Sequence, residues 1–158
     1  MAEEGERQLK CLVLPLHGRP AIVPNSAVAE IITQQDITPS ADTPDWFLGT
    51  GSWRGLEIPL LAFDRLCGER QDVPEAAGRF VVLFGIESAG APAYYGIRID
   101  ALPRSETVNG ERLQAAPGPA HGSEFVAARA TIADRECLVP DFDALGETLS
   151  RYAGVARA

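Results

Sequence analysis

Apolar residues fall in short runs broken by turn formers, a pattern that predicts strands more often than helices. Leu9 to Leu16 and Ala21 to Val23 are two β-favouring runs, and His17-Gly18-Arg19-Pro20 between them predicts a hairpin. Pro20 and Pro24 bracket the second run; proline cannot donate to a ladder, so this strand is expected to be short and to lie at a sheet edge. Asn25-Ser26 signals a turn, and Ala27 to Ile32 is a third apolar run whose only charge is Glu30. The two prolines and small polar residues of Asp36 to Pro44 predict a loop. An aromatic- and glycine-rich stretch, Asp45 to Gly55, then leads into the strand pattern Leu56 to Ala62.

Phe63, Leu66 and Cys67 have helical spacing before Gly68, which predicts one short helix and its stop. The charged stretch 69–78, holding Pro74, reads as a linker between two halves. Beyond it, Arg79 to Ile86 is almost wholly apolar, as in a buried strand, and Tyr94 to Ile99 is its expected partner across the loop Glu87 to Pro92. Asn109-Gly110 is a two-residue turn signal, and Ala115 to Ser123 reads as loop. Phe125 to Ile132 and Cys137 to Val139 flank Ala133-Asp134-Arg135-Glu136, another hairpin pattern. In the last segment, Phe142, Leu145, Leu149 and Tyr152 form one helical stripe that Asp141 can cap and Gly154 can end. Strands at close spacing with two helical pieces predict a mainly β fold built as barrels, in a single domain over 9–154 after a polar tail, 1–8.

Charge narrows the function. With 22 acidic against 14 basic side chains in 158 residues, the net charge of −8 repels a phosphate backbone, so nucleic acid is not an expected partner. Lys10 is the only lysine and reads as a solvated strand end. The three cysteines, Cys11, Cys67 and Cys137, are far apart among apolar neighbours, without a C-x-x-C pair, and are expected to be buried free thiols of a reducing cytoplasm. The acidic N-terminus does not resemble a signal peptide, and no run approaches the ~18 apolar residues of a membrane span, so a cytoplasmic protein without membrane insertion is expected.

Catalytic motifs fail on inspection. The histidines, His17 and His121, each sit in a glycine- and proline-rich loop. Gly49-Thr50-Gly51 would need a third glycine one place before Gly55 and a helix where a strand is predicted. Thr50 and Arg54 stand where a nucleophile elbow around Ser52 requires glycine. Asp141 to Gly146 resembles the opening of a calcium loop, but Leu145 removes one ligand and Tyr152 stands where the bidentate glutamate belongs. Acids at a helix start favour the dipole in any case. No metal, cofactor or catalytic residue is expected, and the chain reads as a non-enzyme.

The stretch Gly49-Thr50-Gly51-Ser52-Trp53-Arg54-Gly55-Leu56-Glu57-Ile58-Pro59-Leu60-Leu61-Ala62-Phe63 resembles the signature of CheW-like domains, an Asn-Leu-Arg-Gly or Asn-Trp-Arg-Gly turn followed by an Ile-Pro-Val strand. Val28-Ala29-Glu30-Ile31 is similar to the family's Val-x-Glu-Ile strand, Asp45 to Gly49 to its approach to the turn, and Gly96 to Asp100 to an element of its second half. Ser52 for Asn, Ala62-Phe63 for a hydrophobic-Asp pair, Ala101 for glycine, and Pro20 and Pro24 are departures. The resemblance implies two small five-stranded SH3-like β-barrels sharing a hydrophobic core, with a short helix after the first barrel and a C-terminal helix. It also implies a non-catalytic adaptor that joins methyl-accepting chemoreceptors to a CheA-type histidine kinase, in a flagellar or a type IV pilus pathway. Such an adaptor would be monomeric alone and would assemble in arrays at the inner membrane.

The partner-binding residues that the resemblance implies are Val28, Glu30, Gly49, Trp53, Arg54, Gly55 and Pro59, near a groove between the barrels. A guanidinium suits a forked contact with a carboxylate, and Glu30 is the natural partner of Arg54. That pair either orients the receptor-binding surface or ties strand to turn. Trp53 suits an interface anchor and a core plug equally. Two other readings stand beside the adaptor: a degenerate structural domain, and a small β-barrel enzyme with a nonlocal site.

Overall fold

The computed structural model describes residues 8–16, 18–68, 77–86, 90–109, 113–115 and 124–152. Alternating residues build most of its strands: β1 (Gln8–Leu14), β2 (Ala21–Pro24), β3 (Val28–Asp36), β4 (Phe47–Trp53), β5 (Leu56–Leu61), β6 (Ala77–Phe84), β7 (Tyr94–Ile99), β8 (Arg104–Asn109), β9 (Leu113–Ala115), β10 (Val126–Ile132) and β11 (Arg135–Pro140). Helix α1 (Phe63–Leu66) is the short one expected before Gly68, whose φ of +89° is a glycine conformation. Helix α2 (Phe142–Ser150) starts where Asp141 accepts a hydrogen bond from the Ala144 amide at 3.0 Å.

The strands form two sheets, one in the order β8-β1-β2-β11-β10-β9 and one in the order β3-β6-β7-β5-β4. Strand alternation divides the interior into three cores. Cys11 and Val13 of β1, Ile22 of β2 and Cys137 of β11 fill the hollow of the first sheet with Val108 and Ile132. Phe80 and Val82 of β6, with Trp53, Ile58 and Leu60, fill that of the second. The alternate residues, among them Leu14, Val23, Leu138, Leu61, Val81 and Leu83, meet between the sheets, joined by Phe63 of α1 and Leu145 and Leu149 of α2. The near-continuous hydrophobicity of β6 follows, because both of its faces are buried. The architecture is thus mainly β, two curled sheets packed over a common core, with the three-residue β9 as an extra strand on the first.

Several expectations need correction. Strand β2 is not at an edge but lies between β1 and β11. Its prolines are tolerated because they stand at its ends: Pro20 lends only its carbonyl, to the Leu138 amide at 2.9 Å, and the parallel register with β11 is confined to Leu138 and Ala21. The charged stretch 69–78 does not part the two sheets, since β5 before it and β6 after it belong to the same one. Within that stretch, Ala77 and Gly78 already open β6, and 69–76 lie outside the described residues. Arg135 and Glu136 belong to β11, leaving Ala133 and Asp134, with φ of +52° and +63°, as the two-residue turn. Asn109 ends β8, which pairs with β1, and Ala115 ends β9, which pairs with β10 at the far side of the sheet. Residues 1–7, His17, 87–89, Gly110, 116–123 with His121, and 153–154 also lie outside the described residues.

The three cysteines are buried and none of them is in a disulfide. Burial pushes the Cys11 and Cys137 thiols and the Tyr95 phenol above their ordinary ranges.

Candidate functional site

Pairing of Trp53 with Leu56 leaves Arg54 and Gly55 as the two residues of the β4-β5 hairpin turn. Their φ values are +50° and +78°, the left-handed pair of a type I′ turn, which matches the twist of the flanking strands. Glycine takes this conformation freely, whereas an arginine there costs about 1–2 kcal/mol. The Arg54 side chain turns back over the indole of Trp53, 4.8 Å from guanidinium carbon to ring centroid.

Glu30 completes the arrangement. Its Oε1 accepts from the guanidinium of Arg54 at 2.9 Å and from the indole Nε1 of Trp53 at 3.1 Å. Nearby, the Gln35 amide donates to the Ser52 carbonyl at 3.4 Å, and Thr38 and Thr50 exchange backbone hydrogen bonds of 2.8 Å. All of these link β3 and the residues after it to β4. Strands β3 and β4 are the two edges of the five-stranded sheet, so the contacts close that sheet into a barrel.

The structure treats the expected site residues differently. Glu30, Trp53, Arg54 and Gly55 come together at one mouth of the barrel. The Arg54 side chain is 65% exposed and that of Glu30 40%, whereas Trp53 is a core residue at 6%. Val28 is half-buried against the shared core. Gly49 and Pro59 are buried. Gly49 has φ +143°, and a Cβ there would overlap the carbonyl oxygen of Thr38 and come within 2.8 Å of its carbon, so glycine is required by close backbone approach. Pro59 precedes Leu60 and Leu61, the residues that pair with β7, and its missing amide falls just before that ladder.

Sequence reasoning missed the aromatic row beside this turn. Trp53 packs on Tyr94 at 4.8 Å between centroids, and Tyr94 on Phe84 at 5.6 Å. Phe84 is 48% exposed and Leu56, opposite Trp53, is 46% exposed. The signal available in the sequence was that β6 stays apolar to its last residue, Phe84, where a strand end is normally polar.

A family model for the CheW-like domain matches residues 10–149. The chain belongs to the CheW-like family. Among solved structures, the scaffolding protein TtCheW from Thermoanaerobacter tengcongensis has a similar fold, with a TM-score of 0.70 and 18% identity over 85% of this chain and 90% of that one. No curated protein matches the chain. As a family, CheW-like proteins are non-catalytic adaptors of chemotaxis signal transduction, and this CheW-like chain carries their domain from Lys10 to Leu149. Among its described residues no helix is long and apolar enough to cross a membrane.

Proposed function

We propose that this CheW-like chain couples methyl-accepting chemoreceptors to a CheA-type histidine kinase, through binding alone, in the cytoplasm beside receptor arrays at the inner membrane. The observation that carries the reading, beyond family membership, is the mouth of the five-stranded barrel. There Arg54, 65% exposed, spends one bond on Glu30 and keeps its other donors available, next to the exposed side chains of Leu56 and Phe84. A fixed charge beside apolar surface is what a specific protein contact uses: the apolar residues supply burial and the charge sets orientation.

Glu30, Arg54 and Gly55 are the members of the candidate site that offer surface directly. Trp53 supports them from below, Val28 borders the shared core, and Gly49 and Pro59 act by shaping the backbone. The chain is a monomer on its own in this reading, assembling only with its partners.

The test is capture from cell lysate with the folded chain as bait, read by mass spectrometry, with the Arg54→Asn variant in parallel. Recovery of a CheA-type kinase together with a chemoreceptor, reduced for the variant, is the expected result. Capture of neither by the folded wild-type chain overturns the proposal, and equal capture by the variant removes Arg54 from the surface.

A further inference from the structure

In the six-stranded sheet, two arginines from different elements converge on one carboxylate, and strand register brings them there. Leu138 of β11 pairs in parallel with Ala21 of β2, so Glu136, two residues before Leu138, comes level with Arg19, two residues before Ala21. On the other side of β11, Thr131 of β10 stands opposite Glu136 and Arg129 opposite Leu138. Arg129, Thr131 and Glu136 therefore share one face of the sheet. Arg19 Nη1 donates to Glu136 Oε1 at 3.0 Å, and Arg129 Nη1 donates to Oε2 at 3.1 Å.

The carboxylate holds the guanidiniums without neutralising them. Two positive charges against one negative leave a local excess of one positive charge, in a chain whose net charge is −8. The three side chains are between 30% and 37% exposed, so they are held in place yet reachable from solvent. Among the described residues Glu136 is the only side-chain acceptor of either arginine, which leaves most of their N–H donors unused. Arg129 Nε is buried and has no acceptor, so this side chain gives up little by turning toward one. Thr131 is exposed and adds a hydroxyl beside Glu136.

We propose that this corner of the sheet binds a phosphoryl group, free phosphate or a small phosphomonoester, with Arg19 and Arg129 donating to different oxygens and the Thr131 hydroxyl to a third. A planar guanidinium fork suits phosphate oxygens, and two forks fixed on the two oxygens of one carboxylate are close enough for a further anion to bridge them. Three donor groups match the outer oxygens of a phosphoryl group better than the two oxygens of a carboxylate. Glu136 positions the arginines and at the same time repels the ligand, which a structural tie between strand and turn would not make measurable. The site shares no residue with the surface at the Arg54 turn and is independent of the adaptor reading.

The test is a ¹⁵N-¹H correlation titration of the whole chain with inorganic phosphate, O-phosphoserine and acetate, at constant ionic strength and near neutral pH. Phosphate is expected to shift, saturably, the amides of Arg19, Arg129, Thr131 and Glu136 and the Nε–H signal of Arg129. Arg19→Gln or Arg129→Gln is expected to weaken binding about tenfold, the size of one charge-assisted hydrogen bond. Glu136→Gln keeps an acceptor for the arginines but removes the opposing charge, and is expected to tighten binding about tenfold, a gain that no loss of folding can produce. Shifts elsewhere, acetate binding as tightly as phosphate, or Glu136→Gln binding no more tightly than wild type overturns the site. O-phosphoserine binding at least as tightly as phosphate assigns it to phosphomonoesters and weaker binding assigns it to free phosphate; either supports it.

Discussion

Asp64 of α1 and Arg98 of β7 face each other in the interior, with a guanidinium nitrogen 3.2 Å from Oδ2 and 3.4 Å from Oδ1. Both side chains are 4% exposed, in contrast with the exposed Arg54–Glu30 pair. Removing one partner of a buried pair strands the other charge out of water, which costs about 3–5 kcal/mol, against about 0.2–1 kcal/mol for an exposed pair. Asp64→Ala should therefore lower unfolding free energy far more than Glu30→Ala in urea titrations. Similar losses for both would show that water or another contact of Arg98 compensates its charge.

The Arg54-Gly55 turn separates a structural role from a binding role. Both turn residues have positive φ, and Asn-Gly is a favoured sequence for such a turn. Arg54→Asn removes the guanidinium and keeps the conformation, whereas Arg54→Ala removes it and keeps the strain. Arg54→Asn is expected to melt about 3 °C above Arg54→Ala, corresponding to about 1 kcal/mol, while both lose partner binding equally. If only Arg54→Ala loses binding, the turn and not its charge is what the partner needs.

Glu136 gives an acid-sensitive contribution. Its carboxylate takes hydrogen bonds from Arg19 at 3.0 Å and Arg129 at 3.1 Å. The Arg19 bond is the largest influence; burial opposes it, and Arg129 adds to it, so the carboxyl is held below its ordinary value of 4.5. A carboxyl depressed on folding stabilises the native state above the unfolded value and loses that contribution as pH falls through the folded one. Glu136→Gln is expected to be less stable than wild type at pH 7, with the gap closing below about pH 4.5. A gap independent of pH would assign the loss to packing.

Thiol reactivity reports on the cores. Cys11 and Cys137 lie in the hollow of the six-stranded sheet and Cys67 in the shared core, none of them in a disulfide. Burial raises the Cys11 and Cys137 thiols, which keeps them protonated and unreactive. Ellman's reagent should find almost no thiol in the native protein and three in denaturant. A fast-reacting thiol in the native state would mark a core that opens locally.

What the sequence determined by itself is local. Alternation placed most strands, Gly68 ended α1, Asp141 capped α2, and the opposite charges of Glu30 and Arg54 allowed their pairing to be anticipated alongside the family motif. Each of these depends on residues close in the chain or on a recurring motif. The tertiary structure alone decided which strands share a sheet: β1 and β2 join β8 to β11, while β3 to β7 form the other sheet. Period-two alternation says which face of a strand is apolar but not which distant strand will cover it. The same nonlocal pairing put β2 in the interior, brought Asp64 to Arg98, and set Lys10 beside Ser105 and Thr107. Those neighbours are distant in sequence, and only the closure of the sheets makes them adjacent.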